Sequence, residues 1–398
     1  MRIVVVSLAL VGAMLAPQTG LADPNEQAAE KIAKCIESNC KPLDMGIKGL
    51  TEIPQAALEM PGLVGLRLGR SDIEDFSALG GLTWLDELDL GRSKITDLAP
   101  IAGLTGLTRL ELDATRVSDL APLAGLKALR HLDLTGVAVE DLSPLAGMQA
   151  LEWLSLNSSG VSDISGLVGL GALNRLYLDR TGVRDFAPLA EMKGLFGLYL
   201  DDTAISDLTP VGAMHGLAEL RLNGTKVTDL SPISGNRGLR KLEMRRLGVS
   251  DLTPITWLIG LREINIERTG VSDLGPVAGM KLLRVLMADG TAVRDLSPLA
   301  GLAMLERVSL NGTPVSDIAP LAGLHRLSDL SLRDTGVRDL SALAGKHKLR
   351  SVDLRGTGVV DLSPLLELEK LRGVVLGKEH KANPAHVEQL MARKVKIR

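Results

Sequence analysis

The chain has 398 residues, of which 45% are hydrophobic and only 2% aromatic, with 42 glycines and 18 prolines. That length exceeds what one hydrophobic core usually fills, and an apolar content drawn from leucine, valine, isoleucine and alanine favours an open-ended repeat over a globule. A formal net charge of −3, from 45 Lys+Arg against 48 Asp+Glu, gives no global footprint for nucleic acid or an anionic membrane, so any charged partner has to be met locally.

Residues 1–22 read as a secretory signal peptide. Arg2 precedes an apolar run from Ile3 to Ala16, then Pro17, and Gly20 and Ala22 supply the small residues of a cleavage site. The run is too short for a membrane span, and no later stretch offers about 20 uninterrupted apolar residues. The expectation is an extracytoplasmic protein, periplasmic or secreted after cleavage near Ala22, with no membrane span. Residues 23–49 predict an N-terminal helical cap, amphipathic from about Asn25 to Asn39. It carries the only two cysteines, Cys35 and Cys40, which in an oxidising compartment predict a disulfide. A zinc site would need about two further ligands, and the nearest histidine is His131. Gly49 to Pro54 look like an imperfect first coil.

Residues 50–377 are repeats. Aspartates recur every 22 residues from Asp75 to Asp361 without an insertion or deletion; a Val or Ile stands two residues before each, and a Leu ten residues after. In the unit Arg109–Arg130, Leu110 and Leu112 alternate with Arg109, Glu111 and Asp113, which predicts a short strand with one face inward. Val117 packs inward after a turn. Asp119 precedes Leu120, Ala121 and Pro122, where its carboxylate can accept the free amides of a new helical turn. Leu123, Leu126 and Leu129 then continue inward at threes, as a tight 3₁₀-like return would require. One unit cannot bury so many leucines alone, so the units must stack. This predicts an α/β solenoid: a right-handed superhelix with a parallel concave β-sheet and short 3₁₀ or helical convex segments. Fifteen Leu-x-Leu-like pairs, Leu66 to Leu376, would line the sheet. Residues 378–398 predict a C-terminal cap, with Asn383 and Pro384 opening a short helix through Arg393.

The unit LxxLxLxxTxVxDLxPLxxL resembles the bacterial leucine-rich repeats of the internalin type, over about residues 50 to 377. The resemblance implies a non-catalytic fold that binds proteins on its concave face. Where that family carries Asn two places before the inward Val or Ile, this chain mostly has Thr, as at Thr115, Thr181, Thr203 and Thr225. Since a hydroxyl both donates and accepts, a Thr ladder tying neighbouring coils is expected there.

The aspartates do not suggest calcium. They form a single file one coil apart, whereas calcium needs six to eight oxygens converging from one loop. Compact catalytic signatures are missing, and the six histidines are scattered, so no enzyme and no cofactor are expected. The variable strand positions remain. Trp153, Tyr177 and Tyr199 fall outward on successive strands, where exposed aromatics commonly anchor a binding hot spot. Around them stand Asp179, Asp201, Arg221, Lys241 and Arg245 as candidate binding charges. Acidic residues dominate upstream (Glu87, Asp89, Glu111, Asp113, Asp133), and Arg237, Arg240, Lys241, Arg245 and Arg246 form a basic spot where Asn236 and Leu247 break the consensus. The sequence thus points to a monomeric, non-catalytic protein-binding scaffold. Its alternative is a glycan-binding or structural cell-envelope protein.

Overall fold

The computed structural model describes residues 23–60, 62–377 and 381–398; the leader read at residues 1–22 lies outside them. Among the described residues the chain forms one parallel sheet of seventeen strands, β1 (Leu43–Asp44) to β17 (Lys396–Ile397). Each strand pairs with the next in sequence, as Leu88 with Leu110 and Leu110 with Leu132. The result is the expected right-handed solenoid, with the sheet on the concave side and 3₁₀ turns such as Ala121–Gly125 on the convex side. The middle residue of each three-residue strand points inward. In the unit read above, Leu110, Leu112, Val117, Leu123, Leu126 and Leu129 are all 0% exposed.

The pairing offset is 22 residues from Gly65–Glu87 to Ser351–Gly373. At either end it becomes 23, in Leu43–Leu66 and Val374–Ile397. The sequence foresaw the strands of the regular repeats but not β1 and β17, which come from segments whose helices masked two short extended stretches. The N-terminal helix, Pro24–Ser38, seats Ala28, Ile32 and Cys35 on the core. Cys35, in its last turn, is joined in a disulfide to Cys40 just past its end. The C-terminal helix, Pro384–Ala392, begins at Asn383, whose Oδ1 accepts from the Ala385 amide at 3.0 Å, and it buries Leu390.

All fourteen repeat aspartates behave as read. Each accepts, at 2.7–2.9 Å, the amide two residues on, where the convex turn begins. The threonines do something else. Thr115, Thr203 and Thr313 donate to the carbonyls of Leu112, Leu200 and Leu310 at 2.6–2.7 Å. These bonds close a turn within one coil, so the hydroxyl row is not the inter-coil ladder expected. That tie lies two residues earlier in the repeat. The Asn157 side chain accepts the Asp179 amide, Asp179 that of Asp201, Asp201 that of Asn223 and Asn223 that of Arg245, all at 2.7–2.9 Å.

Two polar residues occupy the row that is otherwise leucine or methionine. Asn236 is fully buried and donates to the carbonyls of Val211 and Met214. Lys346, 1% exposed, donates from Nζ to the Ala322 carbonyl at 2.8 Å. Burial lowers its ammonium pKa from the ordinary value. Lys346→Met should therefore stabilise the protein, by on the order of 1 kcal/mol, since it removes a desolvated charge held by one bond. The folded lysine releases its proton at lower pH than the unfolded one, so wild-type stability rises as pH climbs through that interval and the variant's advantage must narrow between pH 7 and 9.5. Urea denaturation at both values measures this.

Nine of the repeat aspartates are followed two residues on by Ser or Thr, as in Asp141–Ser143 and Asp163–Ser165, and have lowered pKa values because that residue's amide and hydroxyl both donate to the carboxylate. Their contribution to stability is complete above the unfolded carboxylate range, about pH 4, and fades as pH falls through their lower folded values. The combined variant S143A/S165A/S297A should melt lower than wild type at pH 7 and lose less of its melting temperature between pH 7 and 3. An unchanged acid loss would contradict this.

Candidate functional site

The alternation of strand residues puts two rows of side chains on the concave face, and the constant offset stacks like positions one strand apart, at about 4.8 Å. In β5 (His131–Asp133), β6 (Trp153–Ser155), β7 (Arg175–Tyr177), β8 (Gly197–Tyr199) and β9 (Glu219–Arg221), those rows hold nearly all the face's rings. The His131 imidazole lies on the Trp153 indole, centroids 3.9 Å apart and 9° from parallel. Trp153 meets Tyr177 at 5.0 Å and 45°. Tyr177 and Tyr199 stack at 4.0 Å and 2°, and the Arg221 guanidinium sits 5.6 Å from the Tyr199 centroid. The stack crosses five strands and changes row once: Trp153 pairs in register with Arg175, while Tyr177 pairs with Ser155 and Tyr199.

The structure brings Trp153, Tyr177 and Tyr199 together but corrects their exposure. Trp153 and Tyr177 are half-buried. Tyr199 is only 7% exposed, although it stands on the sheet face and outside the leucine core. Its ring leans back across Gly197, where a Cβ would come within 3.0 Å of Tyr199 Cε2. Its hydroxyl donates to Glu219. Burial, followed by that carboxylate, pushes the phenol pKa up, so Tyr199 stays a neutral donor. It is a platform for Tyr177 rather than an exposed anchor.

The predicted charges are likewise engaged with one another. Asp179 and Asp201 are each 8% exposed, because they serve as the inter-coil amide acceptors described above. Burial raises the Asp179 carboxyl, and the charge of Asp201 adds to this. Arg221 spans the edge of the stack: it pairs with Asp201, lies 3.8 Å from Asp179 and reaches Glu243 at 3.7 Å. Lys241 pairs with Glu243 at 2.8 Å and with Glu263 at 3.4 Å. Among the described residues no carboxylate lies within ion-pair distance of Arg245, which lines a hollow of about 330 Å³ with Arg246, Arg268, Arg333, Glu267 and Asp289. Asn236 and Leu247, which read as interruptions of the surface pattern, point into the core.

Sequence reasoning missed His131, Gly197 and Glu219. His131 Nε2 stands 3.1 Å from Glu111 Oε1. Burial pushes the Glu111 carboxyl up, but His131 and Arg109 together outweigh it and hold it below its ordinary value. A signal for Gly197 was present, since glycine inside a strand commonly marks a close approach.

This geometry defines a leucine-rich-repeat solenoid. No family model matches the sequence, and no curated protein does. Among solved structures the chain is similar to an internalin of Listeria monocytogenes, at 24% identity over 89% of this chain and 97% of that one, with a TM-score of 0.64. It is similar also to a leucine-rich-repeat protein of Leptospira interrogans, at 21% identity over 92% and 98%, with a TM-score of 0.79. A third likeness, at 16% identity over 84% and 63% and a TM-score of 0.60, is to the Arabidopsis receptor kinase HAESA in complex with the peptide hormone IDA. The likenesses fix the fold, and the resemblance of the unit to internalin-type repeats holds at that level.

Because Tyr199 is enclosed and Tyr177 caps it from outside, their truncations should differ. Tyr199→Ala should cost roughly 2 kcal/mol or more in urea denaturation, and Tyr177→Ala distinctly less. Equal costs would show that the two rings are equally buried.

Proposed function

We propose that the protein is an exported, non-catalytic scaffold that holds a protein partner on its concave face, with Trp153 and Tyr177 as the anchors. The observation that carries this reading is the continuous stack from His131 to Arg221. Rings already fixed against one another lose little freedom when a partner lands on them, so their apolar area converts to affinity with a small entropic loss. Tyr199, Gly197 and Glu219 set the pose of Tyr177. Arg221, Asp179 and Asp201 close the downstream edge with a polar rim, as protein interfaces have around an apolar centre. Of the similar folds, the HAESA structure holds a peptide hormone, which supports a peptide or protein ligand for this architecture. The apolar leader at residues 1–22 and the Cys35–Cys40 disulfide support export.

Crosslinking capture from an envelope extract, with the chain beginning at Asp23, tests this. The wild type should retain a defined protein. W153A/Y177A should bind it at least tenfold more weakly, since the loss of central aromatic anchors costs about 2 kcal/mol or more, while keeping a wild-type far-ultraviolet spectrum. Undiminished capture by the folded double variant would remove the stack from the interface.

A further inference from the structure

A second charged surface lies to one side of the sheet, and nothing said of the rings depends on it. The residue just before each strand forms a row of its own. The row is locked by backbone bonds from one coil to the next, as Arg262 N to Arg240 O and Arg284 N to Arg262 O, both at 2.7 Å. In the coils before β10 (Lys241–Glu243) this row has one arginine, Arg130, which is ion-paired with Glu152 at 2.5 Å. From that coil onward it reads Arg240, Arg262, Arg284, Glu306, Ser328, Arg350 and Arg372. Two residues earlier in their coils, Arg326, Lys348 and Lys370 add to it and line a groove of about 350 Å³ with Arg350, Glu306 and Ser328. All eight cations are exposed, and among the described residues none has a carboxylate within ion-pair distance. The contrast with Arg109, Arg221 and Lys241, each held by an acid on the sheet face, is sharp.

We propose that this strip binds a linear polyanionic glycan, one bearing a uronate or sulfate on successive sugars. Charge sets the class as an anion, and the row sets its shape as a chain. Spacing then chooses among chains. Within the runs Arg240–Arg284 and Arg350–Arg372 neighbouring cations repeat at the strand spacing, about 4.8 Å, whereas an extended acidic peptide presents same-side carboxylates roughly 6.6 Å apart and each strand of a nucleic-acid duplex presents phosphates about every 3.4 Å. A ribbon-like polysaccharide advances by close to one strand spacing per ring and turns over at each ring, so the acid groups along one edge recur at about two strand spacings and stay in register with every second position of the row. The acidic coils upstream repel the same polymer, which confines it to the second half of the solenoid. Guanidinium forks suit carboxylate and sulfate oxygens better than ammonium groups do, and arginine leads this row.

The test uses the full chain without its leader, titrated with oligogalacturonate and with heparin-derived oligosaccharide between 50 and 300 mM NaCl. Saturable binding to at least one of them is expected, weakening with salt as bound counterions are displaced. R240Q/R262Q/R284Q should lose at least tenfold, R350Q/K370Q should lose severalfold, and W153A/Y177A should bind as wild type, all with unchanged melting temperatures. The proposal is overturned if neither oligosaccharide binds. It is also overturned if both arginine variants bind normally, or if poly-glutamate, a single-stranded oligonucleotide or anionic phosphatidylglycerol vesicles bind as tightly as the glycans at equal charge. Failure here leaves the concave-face reading untouched, because the two surfaces share no residue.

Discussion

Backbone pairing between successive coils at a constant offset is the constraint from which everything else in this molecule follows. Strands of three residues are too short to hold a sheet by themselves, and each coil alone would leave its leucines half in water. Pairing Leu66 with Leu88, and so on to Val374, settles both problems, because every strand between the first and the last has a neighbour on each side and every inward side chain of the row has a Leu, Ile or Val above and below. The offset also turns each position of the unit into a row running along the molecule. Rows facing in become core, the aspartate row starts the convex turns, and rows facing out acquire whatever character their individual residues supply. Both the ring stack and the arginine strip are rows of this kind.

A polar side chain near the sheet can satisfy the backbone or meet a ligand, and here the backbone takes many of them. Amides just past the strand ends need acceptors, since an unmet buried donor costs about 1–3 kcal/mol. In several coils an acid or amide at the end of the strand serves its own coil, as Asp89 does for Gly91, Asp133 for Thr135 and Asn265 for Glu267. After the strand ends Tyr177, Tyr199 and Arg221 the acceptor comes from the preceding coil, through Asn157, Asp179 and Asp201, and after Glu243, Ser309 and Ser331 it comes through Asn223, Asp289 and Asn311. This role explains why Asp179 and Asp201, which looked like binding charges, are structural.

The legibility of the sequence follows the same division. The period, inward leucines and aspartate turns could be read because a repeat enforces them in every coil, and the structure agrees residue by residue. Strands β1 and β17 could not, because the offset there departs from 22 and no leucine pair announces them. The Thr row was assigned to the wrong carbonyl: donation to Leu112 within the coil and donation across coils require the same residue type, and only coordinates distinguish them. At the site, alternation put Tyr199 correctly on the face, but face and exposure differ. Enclosure of Tyr199 depends on Gly197 and Glu219 in neighbouring places and on Tyr177 covering it, which are side-chain choices no periodic pattern specifies.

The place of Trp153 in the stack has an optical consequence. The chain contains three tryptophans. Trp84 and Trp257 stand more than half exposed on other surfaces, so their emission is that of indole in water. Trp153 is pressed against the His131 imidazole on one side and the Tyr177 phenol on the other. The concave face therefore carries its own fluorophore, whose emission changes with anything that lands beside it.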